Sequence, residues 1–230
     1  MDAIVNLLKP PGISSNTAVN IVKYIYGAKK AGHTGTLDPS AAGVLPVCLN
    51  GATKLCENLM NSKKVYIAQI TFGIATDTLD STGKVIDVCE NVNVAKEQLS
   101  AVLPKFLGGI TQITPKYSAA KQNGVPLYKL ARQGRKIEDK PRNVRIDKIE
   151  ILGQTGNKAT LRIECGAGTY IRTLCEDIGK ELGLPAYMSF LIRTGTSGFD
   201  IEDSYTLSEL KKLKEASDEL SALNYIGDVL

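Results

Sequence analysis

The stretch from Ala31 to Pro46, Ala-Gly-His-Thr-Gly-Thr-Leu-Asp-Pro-Ser-Ala-Ala-Gly-Val-Leu-Pro, gathers the only histidine of the chain, an Asp-Pro step, several glycines and a run of small side chains. Small residues let a backbone come close to something large. Asp38 is the single carboxylate of the stretch, and a carboxylate in such a setting can act as nucleophile or base. The competing reading is structural, because Asp before Pro is what a helix N-cap followed by Pro at the first helical position looks like. Further on, Gly166-Ala167-Gly168 leads into Thr169-Tyr170-Ile171-Arg172. The third glycine of a dinucleotide-binding G-x-G-x-x-G is replaced there by Ile171 and no Walker lysine follows, so the segment does not read as a phosphate cradle.

Composition narrows the chemistry further. The five cysteines, Cys48, Cys56, Cys89, Cys165 and Cys175, form no CxxC pair. With one histidine in the chain, neither a zinc cluster nor a His-based triad can be assembled. The odd, unpatterned cysteine set suggests reduced thiols. The chain has 230 residues, 43% of them hydrophobic and 23% charged, the balance of an ordinary globular protein. It starts without the basic and apolar stretches of a signal peptide and has no apolar run of the ~20 residues a spanning helix needs. A cytoplasmic protein is expected, with no membrane partner and no metal.

The net charge of +4 conceals an asymmetry. Residues 116–148 hold ten Lys/Arg against three Asp/Glu, and residues 200–230 hold three Lys against eight Asp/Glu. The basic stretch reads either as a solvated face or as a surface for a polyanion.

The elements that must position these groups come in irregular order. Ser14, Ser15 and Asn16 offer N-caps to a helix with Val19, Ile21, Val22 and Ile25 at helical spacing and Gly27 at its end. The basic, glycine-containing stretch from Lys29 to Pro46 is expected to be loop. Val65–Phe72 reads as a strand with Lys84–Val88 as its partner. Asn93–Leu107 reads as a helix that Pro104 ends or kinks near Leu103, and Pro126–Gly134 as a short helix. Val144–Leu152 and Ala159–Cys165 form an expected antiparallel hairpin, followed by a helix from about Tyr170 to Leu182. Thr206 and Glu209 make a capping box for a last helix. The absence of βαβ alternation predicts an α+β fold: a mixed, largely antiparallel sheet flanked by helices with a central cleft, in one domain over residues 1–230.

The Asp38 segment closely resembles the signature segment of the tRNA pseudouridine synthases that modify uridine 55 of the T-loop, the TruB-type family. Further blocks resemble that family in the same order: Lys9-Pro10-Pro11-Gly12 with Ser14-Ser15, Tyr66 ahead of Gly73 and Thr76-Asp77-Thr78, Tyr117-Ser118-Ala119-Ala120-Lys121, and Gly168-Thr169-Tyr170-Ile171-Arg172. The resemblance covers residues 9 to about 195. It implies that Asp38 is the catalytic aspartate and that Arg172 supplies the positive charge keeping it ionised and oriented. It implies that Tyr66 stacks on the target uracil and removes the C5 proton, and that Tyr170 and Leu191 line the uracil pocket. His33 would contact RNA by taking the place of the everted base in the loop's stack. Lys29, Lys30, Lys63 and Lys64, with Arg132, Arg135 and Arg142, would meet phosphates without reading sequence. Outside the blocks, Tyr66, Tyr170 and Leu191 would pass as core residues and Arg172 as a surface arginine.

The reaction so implied breaks the N-glycosidic bond of uridine, turns the base while it is held, and joins C5 to the same sugar carbon. There is no redox change, so no cofactor is expected. A carboxylate, a counter-cation and a tight pocket suffice. The expected partner is the T-arm of tRNA, with no protein partner, and a monomer. Longer relatives carry a C-terminal RNA-binding domain of the PUA type, which the resemblance does not find in this chain. Two rivals stay open: a non-catalytic RNA-binding or RNA-folding module, and a glycoside or nucleoside hydrolase, which usually needs two carboxylates where this motif has one.

Overall fold

The computed structural model describes residues 2–225. The chain divides into two compact units, one formed by Met1–Tyr66 with Leu191–Leu230 and the other by Ile67–Phe190. The points of passage lie inside two strands, Lys64–Phe72 and Ala186–Thr196.

In the first unit, the strand Ala3–Lys9 pairs antiparallel with Leu223–Tyr225 on one side and with Ala42–Leu49 on the other. Ala42–Leu49 also takes Ala31–His33 antiparallel, and meets Ile192 and Arg193 of Ala186–Thr196 in parallel. Both long strands are buried on both faces, so their sequences run apolar rather than alternating. The helix Ser15–Ile25 starts where Ser14 Oγ accepts from Thr17 N at 3.0 Å, and buries Ala18, Val19, Val22 and Ile25 as one stripe. The helix Leu207–Glu215 is opened by the expected capping box, Thr206 Oγ1 accepting from Glu209 N at 3.2 Å and Glu209 Oε2 from Thr206 N at 2.7 Å.

In the second unit, strand order runs Lys64–Phe72, Lys158–Cys165, Pro141–Thr155, Gly108–Ile113, the last two pairings antiparallel. The helix Lys96–Val102 turns into a 3-10 turn at Leu103–Phe106, where Pro104 withholds an N–H. The helix Ile171–Glu181 buries Ile171, Leu174, Cys175 and Ile178.

The α+β class and the largely antiparallel sheet agree with the sequence reading. Two expectations are corrected. Lys29–Pro46 is not all loop: Ala31–His33 and the start of Ala42–Leu49 are strands, and Gly43 and Pro46 lie inside the second of them. Gly43 belongs there because its φ is +120° and a Cβ would stand 2.2 Å from the carbonyl oxygen of Arg193. The partner of Val85–Val88 is Ile74–Thr76, not the strand Lys64–Phe72. Four strands of six or more residues went unrecognised, Ala3–Lys9, Ala42–Leu49, Gly108–Ile113 and Ala186–Thr196, since none shows clean apolar-polar alternation.

Candidate active site

Asp38 does not cap a helix. Ala41 N donates to Asp38 O at 3.1 Å, making Asp38–Ala41 a turn that runs into the strand Ala42–Leu49. The structural alternative for the Asp-Pro step therefore falls. The half-buried side chain of Asp38 sits on a loop whose backbone is gripped from several elements. Ser15 Oγ, at the start of the first helix, accepts from Leu37 N and donates to Leu37 O, each at 2.9 Å. Gly12 N donates to Pro39 O at 2.8 Å, and Lys9 Nζ donates to Ala41 O at 2.8 Å and Pro39 O at 3.5 Å. From the far end, Arg193 Nη2 donates to Gly35 O at 3.1 Å while its Nε donates to Val44 O at 2.8 Å. A carboxylate meant to meet a substrate in one geometry needs such a fixed backbone.

Lys9 and Arg193 are fully buried cations of this unit. Burial lowers the Lys9 ammonium to about 8, the charge of Asp38 opposing that shift and the charge of Arg193 adding to it. His33 is also held below its ordinary value, by burial first and then by the charge of Arg193. It is therefore neutral at pH 7. Its Nδ1 accepts from Gly35 N at 3.3 Å, which assigns the ring proton to Nε2 and makes that nitrogen a donor.

Tyr66 and Leu191 lie on neighbouring strands of the same sheet. Tyr66 is buried on the same strand face as Lys64, and Leu191 is buried two residues before Arg193, hence on the same face as that arginine. Thr194 Oγ1 donates to Val65 O at 3.4 Å beside them. Asp38, His33, Tyr66 and Leu191 are thus all held by the first unit.

Tyr170 and Arg172 belong to the second unit, where the N-terminus of the helix Ile171–Glu181 brings them together. Tyr170 occupies the N-cap position without a capping side chain of its own, and Gln112, fully buried on Gly108–Ile113, supplies the missing contacts. Tyr170 N donates to Gln112 Oε1 at 3.0 Å and Gln112 Nε2 donates to Tyr170 O at 3.2 Å. Arg172 is buried, not a surface arginine, and its Nη1 and Nη2 donate to Thr78 O and Tyr117 O, each at 3.0 Å. It thereby joins the Thr76-Asp77-Thr78 and Tyr117-to-Lys121 blocks noted in the sequence. The first of these is braced by buried Asp80, whose Oδ1 accepts from Thr78 Oγ1 at 2.8 Å and from Thr82 N at 2.9 Å.

Among the lysines expected to meet phosphate, Lys64 is committed elsewhere. It is buried, and its Nζ donates to Met60 O at 2.8 Å and Ser62 O at 2.6 Å. Lys29, Lys30, Lys63, Arg132, Arg135 and Arg142 are exposed. Arg142 lies against Gly168, where a Cβ would come within 2.6 Å of its guanidinium carbon, and Arg132 sits over the Tyr128 ring at 5.7 Å.

Sequence reasoning missed Arg193 and Gln112 and gave Lys9 no role. The available signal was a polar residue in register with the buried side chains of a strand, legible only once those strands are recognised. No group of side chains suited to a metal ion occurs among the described residues, and no described helix is long and apolar enough to cross a membrane.

The model of the TruB family pseudouridylate synthase N-terminal domain matches residues 23–171, and that of the tRNA pseudouridylate synthase B C-terminal domain matches residues 172–230. The tRNA pseudouridine synthase B of Caldanaerobacter subterraneus is 47% identical over 215 residues, covering 93% of this chain and 75% of the relative. That of Alkaliphilus oremlandii is 46% identical over 225 residues, covering 98% and 75%. Among solved structures, the chain is similar to one in the crystal structure of a Cbf5-Nop10-Gar1 complex, with 31% identity and a TM-score of 0.78, covering 99% of this chain and 61% of the other. It is also similar to a chain in an H/ACA RNP bound to a substrate RNA containing 2'-deoxyuridine, with 28% identity and a TM-score of 0.74, spanning 60% of that chain.

Proposed function

The chain belongs to the TruB family of pseudouridylate synthases, and from that membership we propose that it isomerises uridine to pseudouridine in tRNA, at position 55 of the T-loop. The observation that carries the proposal is the placement of Asp38: a half-buried carboxylate on a turn, with the backbone on both sides of it hydrogen-bonded to Ser15, Gly12, Lys9 and Arg193.

In this reading the target uridine leaves the T-loop stack and enters the pocket as a flipped base. Asp38 serves as the reacting carboxylate, and Arg172 is the cation that favours its ionised form. Tyr66 stacks on uracil and takes the C5 proton, while Tyr170 and Leu191 bound the base. Neutral His33, a hydrogen-bond donor through Nε2, fills the gap the base leaves in the loop. Exposed Lys29, Lys30, Lys63, Arg132, Arg135 and Arg142 bind phosphates and set orientation rather than sequence. The loop's shape then carries specificity.

The test is incubation with a tRNA transcript, followed by chemical labelling that distinguishes pseudouridine from uridine. One labelled site in the T-loop, lost in Asp38→Asn while RNA binding persists, is the expected result. Free uracil would identify a hydrolase, and unchanged RNA a binding module. Either outcome sinks the proposal.

A further inference from the structure

The glycine segment that leads into Tyr170 and Arg172 is fastened at both ends to neighbouring strands. Gly166 N donates to Arg145 O at 2.8 Å on Pro141–Thr155, and the backbone of Tyr170 is spanned by the Gln112 amide of Gly108–Ile113. Thr169 Oγ1 tightens the turn by donating to Gly166 O at 3.0 Å. Between the two fastenings lies Gly168, with a φ of +82°. That angle already favours glycine, and the surroundings add a second reason: a Cβ there would stand 2.6 Å from Arg142 Cζ and 2.7 Å from both its Nε and its Nη2. Three atoms of one planar group at nearly one distance lay the guanidinium face down on the Gly168 backbone.

Arg142 is the register partner of Gln112, so the two side chains leave their strands on the same face. One residue of the pair fixes Tyr170 and the other covers Gly168, two positions before it. Among the described residues the Arg142 guanidinium meets no carboxylate and donates to no acceptor. Arg145, by contrast, is paired with Asp147, and Arg132 rests over the Tyr128 ring. A guanidinium seated on a fastened backbone, with its N–H edges open to solvent, is a preorganised fork for an anion that offers two neighbouring oxygens.

We propose that Arg142, seated on Gly168, grips a phosphodiester that flanks the target uridine, taking both non-bridging oxygens while the everted base occupies the pocket bounded by Tyr170. The inference rests on the function proposed above, because that reading is what brings an RNA strand to Tyr170. A phosphodiester fits the fork: it carries one negative charge over two exposed oxygens, the arrangement a guanidinium meets with two parallel N–H bonds. A base turned out of its stack leaves the phosphates on either side of it as the nearest fixed anions, so holding one of them holds the nucleotide in its everted form. Arg142 thus differs in kind from exposed Arg135 and Lys136, which bring charge to the RNA without a seat that aims it. Lysine could supply the charge at position 142 but not the fork.

The experiment is a double-mutant cycle read by binding. A T-arm stem-loop RNA is made as a series, each member with one uncharged methylphosphonate linkage and a control carrying the same 2'-deoxy sugar with an ordinary phosphate. Kd is measured for the full chain, Arg142→Ala, Arg142→Lys and Arg135→Ala. Neutralising one linkage beside the target uridine should weaken wild type by about tenfold, Arg142→Ala should weaken the unmodified RNA by about tenfold, and the two together should stay near tenfold, because they remove one contact. Arg135→Ala should add independently to the same linkage, and Arg142→Lys should recover only part of the loss. Independent losses for Arg142→Ala at both flanking linkages, or coupling only to a linkage elsewhere, overturn the anchor. Wild-type binding by Arg142→Lys overturns the fork. Pseudouridine formation is followed separately: coupling without product overturns the function proposed above and leaves the contact standing, whereas product without coupling overturns the anchor alone.

Discussion

The side-chain amide of Gln112 spans the backbone of Tyr170, accepting from its N–H at 3.0 Å and donating to its carbonyl at 3.2 Å. Only an amide of this length offers both an acceptor and a donor there. One residue of the Gly108–Ile113 strand thus fixes the entry to the helix that carries Arg172, with Thr173 Oγ1 adding a bond to Ile113 O at 3.3 Å.

Gln112→Leu should leave Tyr170 N without its partner in a half-buried setting, a loss of about 1 kcal/mol. Gln112→Glu keeps the acceptor but turns the donor toward Tyr170 O into a second acceptor, so it should rescue stability poorly. The measurements are urea unfolding and kcat/KM on tRNA. A fully stable, fully active Gln112→Leu would show that the helix entry holds itself.

Gly43→Ala should be among the most damaging single-methyl changes in the chain. Its Cβ would stand 2.2 Å from the Arg193 carbonyl oxygen, and φ is +120°, so neither the space nor the backbone accepts alanine. The strand pairing of Gly43 with Arg193 would have to open, and with it the hold of Arg193 on Gly35 O. Loss of soluble protein, or a fall in urea midpoint equivalent to several kcal/mol, is expected. By contrast, Gly134→Ala meets open space and carries only the cost of its positive φ.

These two cases show what the sequence could and could not reveal. The longer helices announced themselves through local signals: the Ser14 cap, the Thr206–Glu209 box and the Pro104 stop all stand where the pattern placed them, whereas the short helix Cys56–Met60, with no capping side chain, went unread. The hairpin Pro141–Thr155 with Lys158–Cys165 did so as well, because its turn is local. Ala3–Lys9 and Ala42–Leu49 did not, since buried central strands read as featureless apolar runs and Gly43 and Pro46 imitate a loop. The Asp38 segment was visible as an unusual string, but its supports were not. Ser15, Lys9 and Arg193 lie 23, 29 and 155 positions from Asp38, and only the fold brings them to the loop.

Lys9 gives a pH signature of opposite sign to that of a salt-bridged lysine. Its folded value is about 8 against 10.5 ordinarily, so the folded state holds its proton less tightly. Below about pH 8 both states are charged and the fold bears the full cost of the buried ammonium. Between pH 8 and 10.5 the unfolded chain binds more protons, so the Lys9 contribution to stability rises with pH and then levels. The swing is at most roughly 3.5 kcal/mol, at about 1.4 kcal/mol per pH unit. Urea unfolding of wild type and Lys9→Met across this window should give a difference curve that climbs with pH. A flat or falling difference would place the Lys9 ammonium in water-like surroundings.

The basic stretch yields the last prediction, and the structure sharpens it. All ten Lys and Arg between Lys116 and Lys148 are exposed. They are not equally available, because Arg145 Nε lies 2.6 Å from Asp147 Oδ1 and Lys148 Nζ 2.8 Å from Glu150 Oε1. Such exposed pairs are weak, yet each already neutralises its cation, so releasing it to a phosphate gains less. If phosphate contacts dominate tRNA binding, log affinity should fall linearly with log salt, by about 0.7–0.9 per phosphate neutralised. Arg135→Ala with Lys136→Ala should flatten that slope by roughly 1.5, and Arg145→Ala with Lys148→Ala by clearly less. Neither double variant should change which uridine is modified, since phosphate contacts position without reading bases. A T-arm stem-loop should show most of the same slope and nearly the kcat/KM of whole tRNA. Equal flattening by both double variants would mean that the carboxylates do not hold Arg145 and Lys148 against RNA. A fragment disadvantage of about a hundredfold, some 2.7 kcal/mol, would mean that the chain grips tRNA well beyond the T-arm.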